Sequence, residues 1–365
     1  MFQEAQPSQL SLFHLPPTQT AVEKNYFQEY RPISQLSNNY PIEFNIASQN
    51  GMEYIDMRRS QMYVKCRLHK SEISSSDNVG PINLPLQALF SQVDVGVQNK
   101  QISSTAGHYP FKAYIQCLLR YNKEAKKSQL TSQLWIRDTA GSYDDADVQT
   151  GANIGLYERA KYFSKGRRVD LQGPIYHDLF GLDRYIINQV KMMAIPRGQV
   201  NFTWDNCING VRPLRCVLGF VNSLAVSGAY NLCPWHFQHY DLSQITLSLD
   251  GLPVGGNPLR LNFDDVNGIT TVPALVNLME TTGKWMSDSG NGIDRDDIST
   301  GTALYAFDIE PQFHTDHYLS LLKYGNLRID CQFHKPLPEA VTCVLYVETP
   351  GYFEINKARD VVLQG

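Results

Sequence analysis

The sequence predicts a mainly β protein built from antiparallel sandwich or jelly-roll domains, with short helices in the loops. The first observation is a set of segments in which apolar and polar residues alternate, as they do along a half-buried strand. The second is the aromatic content of 20 tyrosines, 16 phenylalanines and 4 tryptophans, which suits pleated surfaces. The third is that helical periodicity is short and rare, and polar turns rich in Gly, Pro, Asn and Asp separate the strands.

Alternation predicts strands in the first half of the chain. Residues 42–46 and 62–68 each place apolar side chains on one face and polar side chains on the other. Residues 93–97 repeat the pattern, 98–100 form a turn, and Ile102 begins the return strand. The first half therefore contains a predicted hairpin.

A helix is predicted after each of two hairpins. Pro110 suits the first turn of a helix that follows the first hairpin, and a second short helix is predicted at 128–136. In the second half, 245–249 alternate, Asp250-Gly251 is a strong two-residue turn, and Val254 lies on the return strand. Pro273 then begins another helix. The same order of elements occurs twice, which indicates repeated architecture.

The C-terminal part is again rich in strands. Residues 327–333 alternate, 341–347 are almost continuously apolar, and 352–355 end the predicted ordered chain. Residues 1–40, broken by prolines and without periodicity, are predicted to be an arm that lies across a neighbouring surface.

Composition excludes several classes of protein. With 42% hydrophobic and 19% charged residues the chain is too apolar for a disordered protein, and its net charge of −4 argues against a main role in coating phosphate backbones. No signal sequence is visible, and no apolar stretch reaches the roughly 18 residues of a transmembrane segment. We therefore expect a soluble intracellular product. Its seven scattered cysteines are predicted to be reduced thiols that mostly fill the core.

The sequence offers no pattern that we assign to catalysis. The nearest candidates for a metal site do not match known ligand spacings, and no nucleophile elbow, Walker loop or dinucleotide fingerprint occurs. The rejected metal-like sets are Cys207, Cys216, Cys233, His236 and His239; Asp288, Asp294, Asp296 and Asp297; Asp144, Asp145 and Asp147; and His314 with His317. The acidic sets are interpreted as solvated loops. We predict a protein that is not an enzyme, with no catalytic, cofactor-binding or metal-binding residues and no cofactor.

Several motifs resemble the major capsid proteins encoded by Polinton (Maverick) elements and adintoviruses. In the first half they are 15–20, 89–95, 109–115, 126–132, Trp135 with 138–141, and 178–180 with 183–185; in the second half they are 217–222, 237–242 and 325–328. The resemblance covers about 10–362, nearly the whole chain, and the first-half motifs are specific.

The resemblance implies a double jelly-roll, with two antiparallel β-sandwich or barrel domains in tandem. Residues 1–40 would be the N-terminal arm, 41–188 the first jelly-roll and 189–365 the second. Three chains would form a homotrimeric, pseudo-hexagonal tile of a virion's capsid lattice, in contact with a penton or minor capsid protein, and the loops at 71–80, 138–166 and 286–301 would join subunits. The partners would be copies of the chain itself, with no sequence-specific nucleic acid recognition and no transmembrane segment.

One departure from the family lies at the junction of the two halves. Family members carry more sequence between the segments that match 183–188 and 195–202, where this chain has only a handful of residues. We therefore expect a shortened or domesticated derivative, in which the first jelly-roll lacks its last strands and the second its first strands. Such losses would expose unpaired strand edges.

Two alternatives remain open from the sequence. A cupin-like jelly-roll metalloenzyme would use His177, His236 and His239 as its best ligand candidates. A glycan-binding β-protein would use Trp135, Trp235 and Trp285 on its surface.

Overall fold

The structure is a computed structural model that describes residues 26–33, 36, 40–46, 55–68, 79–97, 100–104, 107–181, 186–254, 258–264, 269–309, 322–355 and 361–364. The chain divides into two units, Met1–Ile55 and Asp56–Gly365. In the first unit, the described residues are irregular, and the Ile33 amide donates to the Glu43 carbonyl at 2.9 Å. The strand predicted at 42–46 is wrong. Ile42, Phe44 and Ile46 are exposed, and no ladder forms there among the described residues.

Short helices and antiparallel strands make up the larger unit. The helices are α1 (Pro85–Ala88), α2 (Tyr109–Arg120), α3 (Lys123–Lys127), α4 (Ile154–Phe163), α5 (Asp178–Gly181), α6 (Ser223–Val226), α7 (Val272–Thr281) and α8 (Arg295–Ser299), with 3₁₀ turns at Met57–Arg59, Gln129–Gln133 and Ser164–Gly166. The strands are β1 (Gln61–Cys66), β2 (Asp94–Val97), β3 (Lys100–Ser104), β4 (Val169–Pro174), β5 (Ile186–Ile195), β6 (Asn201–Val211), β7 (Arg215–Asn222), β8 (Leu242–Leu249), β9 (Leu252–Pro253), β10 (Leu259–Arg260), β11 (Leu304–Asp308), β12 (Tyr324–Phe333), β13 (Val341–Pro350), β14 (Tyr352–Ile355) and β15 (Val361–Gln364).

Two antiparallel sheets organise the second half. One has the strand order β5-β13-β7-β11, and the other has the order β6-β12-β8-β10, with β9 beside β8. Setting β9 aside, the first of these strands pairs with the last, the second with the second-last, and so on inwards to β8 and β10. The pairing is therefore that of one long hairpin folded over on itself.

Strand β13 is buried on both of its faces. Side chains alternate across a strand, so Cys343 and Tyr346 point to opposite sides. Tyr346 accepts a hydrogen bond from Gln116 of α2 at 3.1 Å, so helix α2 covers the outer side of this sheet. The continuous apolar run of 341–347 follows, because a strand covered on both faces shows no alternation.

The first half consists of helices and two-stranded ladders. Strand β1 pairs with β4 and β2 with β3, and no larger sheet forms among the described residues of this half. Ten of the twelve residues of α2 are buried, as expected of a helix surrounded by protein. Met62 and Val64 of β1 pack with Leu86, Phe163 and their neighbours in a second, smaller core.

The predicted mainly β, antiparallel character is confirmed, as are several individual elements. Strands at 62–68, 93–97, 245–249, 327–333, 341–347 and 352–355, and proline-led helices at Pro110 and Pro273, are present within a few residues. The turn residues 98 and 99 lie outside the described residues.

Helices were misplaced or missed where a capping side chain determines the residue at which the helix begins. The helix predicted at 128–136 is present only as the 3₁₀ turn Gln129–Gln133. It is preceded by α3, which Asn122, six residues before position 128, caps by accepting from the Ala125 amide at 2.8 Å. The segments 138–166 and 286–301 are not simple loops. Asn153 caps α4, and Asp294 forms a capping box at the start of α8. Residues 71–78 lie outside the described part of the chain.

Candidate functional site

A cleft in the described part of the chain has a volume of about 450 Å³. It is lined by residues of the segment 236–241 and by Lys335 and Glu339. Two of its histidines, His236 and His239, belong to the set considered for a metal in the sequence. The cleft is therefore the first candidate for a functional site.

His236 is held by a carboxylate from the first half of the chain. Its Nδ1 lies 2.5 Å from Asp144 Oδ2, and its ring stacks on Tyr143 with the centroids 5.1 Å apart. The Cys233 amide donates to the other oxygen of Asp144 at 2.6 Å. Burial raises the pKa of Asp144, but the hydrogen bonds from His236 and Cys233 lower it by more, so the pKa lies below its ordinary value.

His239 is fixed by its own turn. Its Nδ1 accepts from the Asp241 amide at 3.0 Å, which places the ring proton on Nε2, and the ring stacks on Phe263 at 4.0 Å. Burial lowers the pKa of His239. Tyr240 and Asp241 have left-handed φ angles of 46° and 52°, a conformation that is uncommon for residues with side chains. Lys335 secures the turn with an ion pair to Asp241 at 2.9 Å.

The hydroxyl of Ser299, which also lines this cleft, is engaged elsewhere. It donates to the Asp296 carbonyl at 2.9 Å within α8, so neither imidazole acts on it as a base. The cleft groups instead join segments of the fold. His236 links the loop at 143–144 to the segment after β7, and the Tyr240 hydroxyl donates to Glu339 at 2.8 Å.

Of the three histidines of the cupin alternative, His177 lies apart from His236 and His239. His177 lines a different cavity, of about 200 Å³, together with Arg58, Arg120 and Asp178. Among the described residues no group of three His, Cys, Asp or Glu side chains could hold a metal ion. His314 and His317 lie outside the described residues.

All seven cysteines are free thiols, and six of them are buried. Burial raises the pKa of Cys207 to about 11 and that of Cys117 to about 12, so both remain protonated near neutral pH. The prediction that the cysteines mostly fill the core is confirmed.

The acidic loops are more engaged than the sequence suggested. Asp297 is only 6% exposed and forms an ion pair with Arg137 at 2.8 Å. Asp145 accepts from the Ala152 amide at 2.6 Å, and Asp147 accepts from the Gln149 amide at 2.9 Å. The interpretation as a solvated loop is wrong for Asp297, which is buried against a partly buried cation, whereas Asp288, Asp294 and Asp296 are exposed.

Two of the three tryptophans proposed for glycan binding are not on the surface. Trp135 and Trp235 are each 2% exposed, and both stack on Tyr114, with centroids 5.2 and 4.5 Å from it. The Trp235 indole donates to the Asn83 carbonyl at 3.1 Å. Trp285 is exposed. The surface position predicted for Trp135 and Trp235 is wrong because these large rings fill the core between the two halves.

Two buried ion pairs escaped the sequence analysis. Lys112 Nζ lies 2.6 Å from Asp178, and Arg159 Nη2 lies 2.5 Å from Asp138, with all four side chains at most 2% exposed. The one available signal was a lysine inside the apolar helix that follows Pro110. Both pairs lie in the first half and neither opens onto the larger cleft.

Comparison with known proteins gives one distant similarity and no family. No protein-family profile matches the chain. An uncharacterized protein of Caenorhabditis elegans is 20% identical in an alignment of 419 positions, which covers 96% of this chain and 99% of that protein. None of the helices in the described residues is long and apolar enough to span a bilayer.

Proposed function

We propose that the chain is a structural protein, the major capsid subunit of a Polinton- or adintovirus-type DNA virus or a shortened, domesticated derivative of one. It acts by self-assembly into trimeric capsomers and needs no cofactor. Its partners are copies of itself and a penton or minor capsid protein, and it resides in the virion and inside the host cell.

The observation that carries the proposal is the strand order of the second half. A long hairpin whose strands pair first with last, and which is rolled into two four-stranded sheets, is the construction of an eight-stranded jelly roll. Strands β5–β8 and β10–β13 have this order. Jelly rolls are common in viral capsids, although the fold alone does not determine a function.

The first half supports a second, reduced jelly roll. Hairpin β2–β3 is followed by α2, and hairpin β8–β9 is followed by α7; both helices have proline in their first turn. This repeated order favours a duplication. Strands β5 and β6 are present at the start of the second half, so we place the shortening in the first half.

The similarity to the nematode protein is compatible with a shortened chain. It extends over 419 residues, more than the 365 residues of this chain, so the relative carries segments that have no counterpart here. The motifs that resemble Polinton capsid proteins remain the reason to choose a shell subunit over other jelly-roll proteins.

Sedimentation of the purified chain tests the proposal. A trimer would have three times the 41.4 kDa of one chain, and its interfaces should each bury more than about 1,000 Å². We expect trimers at micromolar concentration and lattice fragments by electron microscopy at higher concentration. A chain that stays strictly monomeric at micromolar concentration would contradict the proposal. Stoichiometric bound iron or zinc would favour the cupin alternative instead.

A further inference from the structure

The β1–β4 ladder has one apolar and one cationic face. Register pairs Tyr63 with Gln172 and Lys65 with Asp170, so these residues share a face, while Val64 and Leu171 lie on the other. The apolar face packs into the smaller core. The other face is exposed to solvent along both strands.

Three cations gather on the exposed side. Lys65 lies on β1, and Arg67 is the first residue after β1, two positions beyond Lys65. Arg168 immediately precedes β4, one position beyond the register pair of Cys66 and Val169. We call Lys65, Arg67 and Arg168 the cationic face. Two residues along a strand span about 6.7 Å, and facing residues lie about 5 Å apart, so the backbone positions of the three residues lie close to or within one Debye length of about 8 Å.

These charges are only partly neutralised by neighbours. Among the described residues, none of the three forms an ion pair, although Asp170 faces Lys65 across the ladder. Like charges on neighbouring positions cost stability. The chain as a whole carries a net charge of −4, so this concentration of positive charge is local. An anionic partner would relieve the repulsion.

We infer that the cationic face, together with Tyr63, is a contact surface for the phosphodiester backbone of a nucleic acid. Tyr63 is 54% exposed, and the Lys65 ammonium lies 5.7 Å from the centre of its ring. An exposed aromatic ring beside cations is an arrangement on which single-stranded nucleic acids stack. An acidic membrane would instead favour an amphipathic element that inserts apolar side chains, whereas the remaining neighbours on this face include Gln61 and Gln172.

The contact recognises the phosphate charge of the nucleic acid and not its base sequence. Three cations make few phosphate contacts, so binding is weak and falls steeply with salt. In a capsid the partner would be the packaged genome, but the contact does not depend on assembly.

Fluorescence anisotropy with a labelled oligothymidylate and the full-length chain tests the inference. The variant Lys65→Gln/Arg168→Gln removes two charges from the cationic face. The matched control Lys123→Gln/Lys127→Gln removes two exposed charges from α3, outside this face. At about 0.1 M salt we expect about a fivefold loss of affinity per lost contact, from a slope of about 0.7 per contact over the decade to 1 M. The control should bind as the unmodified chain does.

Further measurements decide between outcomes. The salt slope of the face variant should be shallower by about 0.7 for each contact removed. Tyr63→Ala should weaken binding to the oligothymidylate while leaving the circular dichroism spectrum unchanged. An equal loss in the face variant and the control would overturn the inference, as would vesicles of acidic phospholipid that bind through the cationic face when the oligothymidylate does not. Because binding is read on unassembled chains, failure here leaves the sedimentation test of the proposed function unaffected.

Discussion

Arg159 supplies three hydrogen bonds inside the first half of the chain. Its Nη2 donates to Asp138 Oδ1 at 2.5 Å, its Nε donates to the Pro81 carbonyl at 2.9 Å, and its Nη1 donates to the Ile136 carbonyl. Its side chain is 1% exposed. The other oxygen of Asp138 is buried and accepts no hydrogen bond. Arg159 is therefore the cation that compensates the Asp138 carboxylate.

The variant Arg159→Met should lose about 3–5 kcal/mol of unfolding free energy. Removing one partner of a buried pair leaves an uncompensated charge, which costs about that much, whereas the two backbone carbonyls add a smaller loss.

Urea unfolding followed by the fluorescence of the buried tryptophans measures this loss. The double variant Asp138→Asn/Arg159→Met should lose less than the sum of the two single variants, since the single variants each leave one partner behind. Arg328→Met, at an exposed pair with Asp330, is the control and should change stability little. A loss below about 1 kcal/mol for Arg159→Met, or additive single losses, would refute the role assigned to this pair.

Three further predictions concern the seam between the halves and its surroundings. Asp144→Asn should lower stability near neutral pH. The difference from the unmodified chain should fade as pH falls through the ordinary aspartate pKa of about 3.9 and below, because the lowered pKa of Asp144 contributes stability only while the group is ionised. Unfolding at a series of pH values measures this difference, and a difference that does not depend on pH would contradict it. Burial lowers the pKa of Lys126 to about 7, so the unfolded chain binds more protons between about pH 7 and 10 and stability should rise with pH there by up to about 1.4 kcal/mol per unit. Lys126→Met should lack this rise; equal slopes in both proteins would argue against it. Gly301 has a φ of 127°, and an added Cβ would lie 2.5 Å from the Tyr143 ring, so Gly301→Ala should lower the melting temperature more than Gly198→Ala, whose φ is also positive but whose added Cβ meets nothing within 4 Å. Equal shifts of the melting temperature in the two variants would show that the Tyr143 ring moves away from the added Cβ without loss of stability.

Alternation found several strands that have one buried face but missed β4, whose side chains also alternate between buried and exposed. Strand β8 was found because Ile245 and Leu247 are buried and their neighbours are less so. Strand β7 is buried along almost its whole length, so its sequence shows no period. In β6 the pairing with β12 shifts between Leu327 and Ile329, and Asn206 has a positive φ. This bulge moves the buried positions by one residue and breaks the alternation between Phe202 and Cys207.

The polar contacts could not be read from local spacing. His236 and Asp144 are 92 residues apart, Lys112 and Asp178 are 66 apart, and each pair meets only because the two segments fold against each other. Residue type also did not predict whether Trp135 is buried, since a tryptophan suits a binding surface and a core alike. What the sequence did supply was the period-two pattern and the repeated order of hairpin and helix.

Side chains of the first half form hydrogen bonds and an ion pair with the second half. Helix α2 lies against the outer face of β13 through Gln116, Arg137 pairs with Asp297, and the Tyr143 hydroxyl bonds with Thr302 at 3.1 Å. These contacts cover a sheet face that would otherwise meet water. On the proposal that the first half is a jelly roll that has lost strands, the helices that follow its first hairpin would supply the burial that those strands provided.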